Sequence, residues 1–116
     1  MKLKNLLFVF FCLSFSGYSL AFTYYEDGNS LMPKIREYQK AQNNDPSANL
    51  SEAAEFRGYV VGVFEYLSLM EFACGGGVTK GQLGTVVARK MNNNPAQWNL
   101  PAIFLVAEAL EESFPC

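Results

Sequence analysis

The placement of three cysteines constrains the fold of this chain more than any other feature of its sequence. Cys12 lies in an apolar run near the N-terminus, Cys74 lies in mid-chain, and Cys116 is the last residue. An exported chain that loses its N-terminal segment keeps only Cys74 and Cys116, and two cysteines allow a single intramolecular bond. Either these two residues form a disulfide, or they are two unrelated free thiols.

The N-terminus has the features of a secretory signal peptide. Lys2 and Lys4 give it a positive start, a compact apolar run follows, and a small-x-small cleavage site ends at Ala21. The apolar run is far shorter than the roughly 20 residues that span a bilayer. We therefore predict that residues 1–21 are cleaved after Ala21, and that residues 22–116 form one periplasmic domain without membrane insertion.

A periplasmic location favours the disulfide, because that compartment is oxidising. In the chain-entropy model, closing a loop of this length contributes roughly 4 kcal/mol. The whole stability of a small domain is about 5–15 kcal/mol. We therefore predict a Cys74–Cys116 disulfide that supplies a large part of the stability.

The charge balance and the absence of histidine exclude several function classes. The chain has nine basic and eleven acidic residues, and Lys2 and Lys4 lie in the predicted signal peptide. The mature domain is therefore mildly acidic, which argues against a nucleic-acid partner. Without histidine, His-based triads and most catalytic zinc sites are excluded. We predict no catalytic residue, metal or cofactor; an enzyme would need a carboxylate or free-thiol mechanism.

Apolar residues recur at helical spacing in four segments, and no segment alternates convincingly as a strand. Ser30 and Pro33 mark the predicted start of the first helix, and residues 41–49 form a polar, turn-rich linker. Asn49 is the predicted cap of the second helix, with Glu52 reaching back to it. The predicted fold is all-α, a compact four-helix domain with one intramolecular disulfide.

The last two helices also have start signals. Thr79 and Gln82 match a capping box, the stretch NNNP ends the third helix at Pro95, and Pro101 is a favoured first-turn residue for the fourth. The predicted core faces are Phe56, Tyr59, Val60, Val63, Phe64 and Leu67 in the second helix, Leu83, Val86, Val87 and Met91 in the third, and Ile103, Val106, Ala107, Leu110 and Phe114 in the fourth.

Glycines mark two further features. Gly58 and Gly62 lie four residues apart in the second helix, and we predict that another helix approaches closely there. The stretch CGGGVTKGQ at residues 74–82 lacks the Gly-Lys-Ser/Thr order of a phosphate-binding loop. We interpret the triglycine as a hinge that lets Cys74 reach Cys116.

Residues 102–107 of the fourth helix are apolar on every side. Such a helix is either central to its fold or covered by a partner. A domain of this size buries only about 60–65% of its surface, so central burial of every side is difficult. The pattern therefore predicts a homodimer.

Polar side chains near the end of the chain are candidate partner contacts. Glu108, Glu111 and Glu112 crowd the last helix, where an i,i+4 pair repels and the helix dipole is negative. The cluster is either a solvated acidic face or a contact patch for a basic partner. Trp98 is either a core plug under a loop or a binding anchor. The predicted partner-binding residues are Asn92, Asn93, Asn94, Gln97, Trp98, Glu108, Glu111 and Glu112.

An ordered set of features runs through the stretches GYVVGVFEYL and CGGGVTKGQLGTVVARKMNNNPAQWNLPAIFLVAEALEESFPC. They are Gly58-Tyr59-Val60-x-Gly62, Cys74, Val78-Thr79-x-Gly81-Gln82-Leu83, Asn94-Pro95, Pro101-Ala102, Ala109-Leu110 and Phe114-Pro115-Cys116. In this order and spacing, after a signal peptide, they resemble the Rap/Tai family of type VI secretion immunity proteins. The resemblance covers about residues 53–116.

The resemblance implies a small, exported, all-helical protein, often a homodimer, that blocks a peptidoglycan amidase toxin. Such toxins are papain-like cysteine hydrolases, and the inhibitor covers their active-site groove. The resemblance also implies a disulfide between the residues at Cys74 and Cys116, and it carries no catalytic residue. The alternative prediction is a helical periplasmic stress or holdase protein with no dedicated toxin partner.

Overall fold

The computed structural model of the protein describes residues 22–116, so the predicted signal peptide and Cys12 lie outside the described residues. This part of the chain forms four α-helices and a short 3-10 helix, and each α-helix contacts the other three. The α-helices are α1 (Gly28–Gln42), α2 (Leu50–Leu69), α3 (Lys80–Asn93) and α4 (Ala102–Ser113), and the 3-10 helix is Pro95–Gln97. The predicted all-α, four-helix fold is confirmed.

Helix α1 begins earlier than the sequence predicted. Asp27 is its N-cap: the Asp27 carboxylate accepts a hydrogen bond from the Ser30 N–H at 2.8 Å, and the Ser30 hydroxyl accepts one from the Asp27 N–H at 3.0 Å. Ser30 is thus the third helical residue and completes a capping box, and Pro33 lies inside the helix. The predicted start at Ser30 and Pro33 is wrong because the capping carboxylate lies three residues upstream.

Helix α2 has the predicted cap but a different partner for it. The Asn49 side chain accepts a hydrogen bond from the Glu52 N–H at 3.2 Å, as expected for an N-cap. The Asn49 N–H, however, donates to the Glu37 carboxylate at 2.8 Å and not to Glu52. Glu37 belongs to α1, so a tertiary contact replaces the predicted local one and ties the start of α2 to α1.

Helix α3 confirms its predicted start. The Thr79 hydroxyl accepts a hydrogen bond from the Gln82 N–H at 3.1 Å, and the Gln82 side chain accepts one from the Thr79 N–H at 2.8 Å. The helix ends at Asn93, and Pro95 then opens the 3-10 helix. This start and end follow from local side-chain chemistry alone.

The apolar stripes of the helices meet in one core. The least exposed large side chains are Leu31, Ile35, Phe56, Val60, Val87, Val106 and Leu110, and no polar or charged residue is buried among residues 22–116. The predicted faces of α2 and α3 point inward, with Tyr59, Phe64 and Val86 half-buried at the margin. In α4 the core also includes Ala102, Leu105 and Ala109, while Ile103 and Ala107 are only half-buried.

The close helix approach predicted at Gly58 and Gly62 is wrong within this chain. A Cβ atom placed on either glycine would meet no atom within 4 Å, since both lie on the exposed side of α2. The close approach occurs instead at Gly84 of α3. A Cβ atom there would lie 2.6 Å from the hydroxyl oxygen of Tyr38, which donates a hydrogen bond to the Gly81 carbonyl at 3.0 Å.

Replacement of Gly84 by Ala is expected to lower the free energy of unfolding by about 1–3 kcal/mol, because the new methyl group would displace the buried Tyr38 ring from its packing and from its hydrogen bond to the Gly81 carbonyl. Replacement of Gly62 by Ala is the matched control in open space, and it should raise the free energy of unfolding by up to about 1 kcal/mol. Urea denaturation of both variants measures the difference. Effects of the same sign and size at both positions would contradict this account of the packing.

The Cys74–Cys116 disulfide is present, with the two Cα atoms 4.8 Å apart. The Cys74 N–H also donates a hydrogen bond to the Phe114 carbonyl at 2.7 Å, and the Phe114 ring meets the Phe64 ring edge-on with centroids 5.8 Å apart. Within the triglycine, Gly77 has a φ of 83°, a conformation that other residues rarely adopt. The chain therefore turns at a glycine between Cys74 and α3, and the disulfide and the hydrogen bond tie this loop to the end of α4.

Replacement of Cys116 by Ser is expected to lower the free energy of unfolding by roughly 4 kcal/mol. We expect the loss of stability to be a larger effect than any loss of binding. Chemical denaturation, with the wild type in reductant as the matched comparison, measures this loss. The reduced wild type and the variant should unfold at the same denaturant concentration. A variant as stable as the oxidised wild type would show that the disulfide does not support the fold.

The segment before α1 covers part of α4. The Ala102 N–H donates to the Glu26 carbonyl at 2.9 Å, and the Phe22 ring stacks on Phe104 with centroids 5.4 Å apart. Lys34 of α1 holds the same segment, since it lies 2.6 Å from Glu26 and 3.1 Å from Glu55. The chain itself therefore covers part of the apolar surface of α4 that led to the homodimer prediction, although Phe104 remains 56% exposed.

None of the helices that the structure describes combines the length and the apolar character needed to cross a membrane.

Candidate functional site

A groove between α3 and α4 brings together most of the predicted partner-binding residues. Its volume is about 360 Å³. Five of the eight predicted residues line it, namely Asn93, Asn94, Gln97, Glu108 and Glu112, together with Val86, Arg89, Lys90, Ala109 and Ser113. The polar end of α3, the 3-10 helix and the acidic end of α4 thus form one surface. We call it the α3–α4 groove.

Lys90 links the two walls of the α3–α4 groove. Its ammonium group lies 2.7 Å from the Glu112 carboxylate and 3.4 Å from the Glu108 carboxylate. Burial alone would lower the pKa of Lys90, but the hydrogen bonds to Glu112 and Glu108 outweigh it, and the pKa is raised. The repulsion expected between Glu108 and Glu112 is therefore offset by a cation from the neighbouring helix.

Two of the predicted residues use their hydrogen-bonding groups within the chain. The Asn94 amide donates to the Lys90 carbonyl at 2.8 Å, and the Trp98 indole N–H donates to the Met91 carbonyl at 2.7 Å. Trp98 is half-buried against the core, and its carbonyl accepts a hydrogen bond from the Asn29 N–H at 2.8 Å. Of the two interpretations of Trp98, the structure supports the core plug under a loop.

Besides Trp98, two of the predicted residues lie outside the groove. Asn92 lines a neighbouring depression between α1 and α3, with a volume of about 490 Å³. Glu111 is exposed on α4, and within residues 22–116 it forms no ion pair. The acidic cluster is therefore divided, since Glu108 and Glu112 are paired with Lys90 and Glu111 is free to meet another molecule.

The comparison with protein families matches residues 27–116 to the Rap1a immunity proteins. This chain belongs to that family. Comparisons with curated proteins and with solved structures found no match. As a Rap1a immunity protein, the chain has a toxin protein as its partner.

The site of this Rap1a immunity protein has the chemistry of a binding surface. Within residues 22–116 no group of three or more His, Cys, Asp or Glu side chains is placed to hold a metal ion. The groove offers instead amide, carboxylate and ammonium groups, all of which suit hydrogen bonds across a protein interface.

Both cations of the groove, Arg89 and Lys90, are absent from the partner-binding residues predicted from the sequence. The prediction used α3 for its apolar stripe, its capping box and the asparagines at its end. The glutamates of α4 were weighed against one another and against a basic partner, and not against a cation of α3. The signal was present, because Lys90 lies on the same helix as the predicted Asn92 and Asn93. What the sequence did not contain is the position of α4 beside this turn of α3.

Replacement of Lys90 by Met should lower the free energy of unfolding by about 0.5–1 kcal/mol near neutral pH, because it leaves Glu108 and Glu112 unneutralised. The folded-state pKa of Lys90 is raised, so its stabilisation is complete below the ordinary lysine pKa of about 10.4 and is lost as the pH rises through the folded value. Urea denaturation of wild type and variant at neutral and at strongly alkaline pH measures this difference.

The control is replacement of Lys80 by Met, which removes an exposed cation that forms no ion pair among the described residues. It should not lower the stability at either pH, and at neutral pH it should raise it slightly, because Lys80 is the first residue of α3 and lies at the positive end of the helix dipole. Equal losses for the two variants, or a Lys90 effect that persists at alkaline pH, would show that Lys90 does not act through its ion pairs.

Proposed function

We propose that this chain is a periplasmic immunity protein that binds a peptidoglycan amidase delivered by a type VI secretion system and covers its active-site groove. The match of residues 27–116 to the Rap1a immunity proteins carries the proposal. The toxin is a papain-like cysteine hydrolase in this account, and binding protects the producing cell by keeping the substrate out.

The proposed mechanism is occlusion without catalysis. The sequence has no histidine, and the two cysteines of residues 22–116 are joined in a disulfide. The chain therefore offers neither an imidazole, the commonest general base, nor a thiolate nucleophile in this region. The disulfide and the sequence of the N-terminal segment both support export to an oxidising compartment.

The proposed contact surface is the α3–α4 groove together with Glu111 and Asn92. The glutamates of α4 suit a basic region of the toxin, and rim charges of this kind mainly affect the association rate and the orientation of the partner. Glu111 is the most direct probe of this surface, because no ion pair within the described chain depends on it.

We also propose a homodimer. Its support is an exposed apolar cluster at the end of α2, where Tyr66, Leu69, Met70 and Phe72 are between 47% and 78% exposed. Apolar patches of this kind mark interaction surfaces. The same patch would suit the many clients of a holdase, so the number of partners separates the two functions. Sedimentation equilibrium of the purified chain tests the dimer.

The test of the function is binding to the product of the adjacent open reading frame, prepared with its nucleophilic cysteine replaced by Ala. Wild-type protein should form a stable complex with this product and should inhibit the active enzyme on peptidoglycan. Replacement of Glu111 by Lys should weaken binding by roughly tenfold or more, because it reverses the free charge of the acidic patch. Isothermal titration calorimetry with the inactivated product measures the affinities of the wild type and of the variant.

Replacement of Glu65 by Lys is the matched control, because Glu65 is exposed on α2 and the replacement changes the net charge by the same amount. Its affinity should stay close to that of the wild type. If the neighbouring product is not a secreted Cys/His hydrolase, or if the wild type fails to bind it, the amidase assignment is wrong. Stable binding of many unrelated unfolded proteins would favour the holdase.

A further inference from the structure

Three depressions on the surface of the protein share one residue of their lining, Arg89. The first lies between α1 and α3, the second is the α3–α4 groove, and the third lies between the start of α3 and Phe114. Their volumes are about 490, 360 and 510 Å³, and Arg89 lines all three. We call the surface around Arg89 that these depressions form the Arg89 surface.

Arg89 differs from its neighbour Lys90 in having no anionic partner. Lys90 is neutralised by Glu108 and Glu112, whereas Arg89 is exposed and forms no ion pair with any residue between 22 and 116. Lys34 and Lys40 are likewise paired with glutamates. Among the cations that remain unpaired in this part of the chain, only Arg89 lines the three depressions.

Most of the polar groups around Arg89 are neutral hydrogen-bonding side chains, among them Gln39, Gln42 and Asn43 from the end of α1, Thr85, Asn92 and Asn93 from α3, and Gln97. The charged ones, Lys90, Glu108 and Glu112, line only the α3–α4 groove and are paired with one another. An amide side chain can donate and accept at once, so it can pair with the peptide groups of another chain. A planar guanidinium matches the two oxygens of a carboxylate.

We infer that Arg89 is the anchor of the toxin interface and that it receives an aspartate or glutamate carried on a loop of the toxin. The surrounding amides would hold the peptide groups on either side of that carboxylate. This inference rests on the proposed function. It adds that the group on the toxin is a carboxylate and that Arg89 is the residue that binds it. It also adds α1, because the first depression extends the contact surface beyond α3 and α4.

The charge distribution supports recognition of the toxin by direct contact and not by long-range attraction. The mature domain is mildly acidic, so long-range attraction does not bring a carboxylate to this surface. A carboxylate gains most from direct contact with Arg89, because Lys90, the other cation of the α3–α4 groove, is already paired with Glu108 and Glu112. Arginine is enriched among interface residues that contribute most to binding, and this pattern would fix one orientation of the toxin.

The test compares Arg89→Glu, Arg89→Lys and Arg36→Glu for binding to the inactivated hydrolase from the adjacent open reading frame. Arg36 is exposed on α1 and lines none of the three depressions, so it is the matched control. Arg89→Glu should weaken binding by about 30-fold or more. Arg89→Lys should weaken it by less, because lysine keeps the positive charge but cannot bind both carboxylate oxygens in the planar geometry of a guanidinium. Arg36→Glu should have little effect.

Thermal unfolding and sedimentation of each variant accompany the titrations. Arg89→Gln replaces Arg89→Glu if the latter fails to fold, and it should lose most of the same affinity. Single replacements of the exposed carboxylates of the toxin by Lys should include one that restores binding to Arg89→Glu. That rescue identifies the paired carboxylate.

The outcomes separate this inference from the proposed function. If the wild type binds and the Arg89 variants bind equally well, the inference is wrong and the proposed function stands. If no charge reversal on the toxin rescues Arg89→Glu, Arg89 has no paired carboxylate and the inference is also wrong. If Arg89→Glu changes the oligomeric state but not the affinity, the surface joins two copies of this chain. If the wild type does not bind, both proposals fall.

Discussion

The link between Cys74 and Cys116 is the constraint on which the arrangement of α3 and α4 depends. It joins the loop before α3 to the residues after α4, and the hydrogen bond from Cys74 to Phe114 reinforces it at the same place. A domain of this size buries a limited share of its surface, so a covalent link compensates for a small core. The two helices that it holds together are the walls of the α3–α4 groove.

Two adjacent cations on α3 have opposite roles because successive residues of a helix point about 100° apart. Lys90 faces α4 and neutralises Glu108 and Glu112, so it belongs to the structure of the groove. Arg89 faces outward among three depressions and keeps its charge available. The residues that stabilise this surface and the residue proposed to recognise the toxin are therefore distinct, which lets stability and binding be measured with separate variants.

Local physics explains which sequence predictions were confirmed. The capping box of Thr79 and Gln82 and the cap at Asn49 involve side chains within one turn, so the sequence alone specifies them. The predicted role of Glu52 failed because Glu37, distant in sequence, competed for the same N–H. Five of the contact residues predicted from the sequence line the α3–α4 groove. They come from two polar segments, one at the end of α3 and the other at the end of α4, and these segments lie side by side in the structure.

The sequence by itself determined the four helices, the single disulfide and the absence of imidazole chemistry, because helical periodicity, cysteine count and composition are properties of the chain. Only the tertiary structure decided which glycine admits a close neighbour, Gly84 and not Gly58 or Gly62, and which charges are neutralised. Periodicity fixes which residues share a face of a helix. It does not fix which other helix that face meets, and the packing of α3 against α1 and α4 supplied that information.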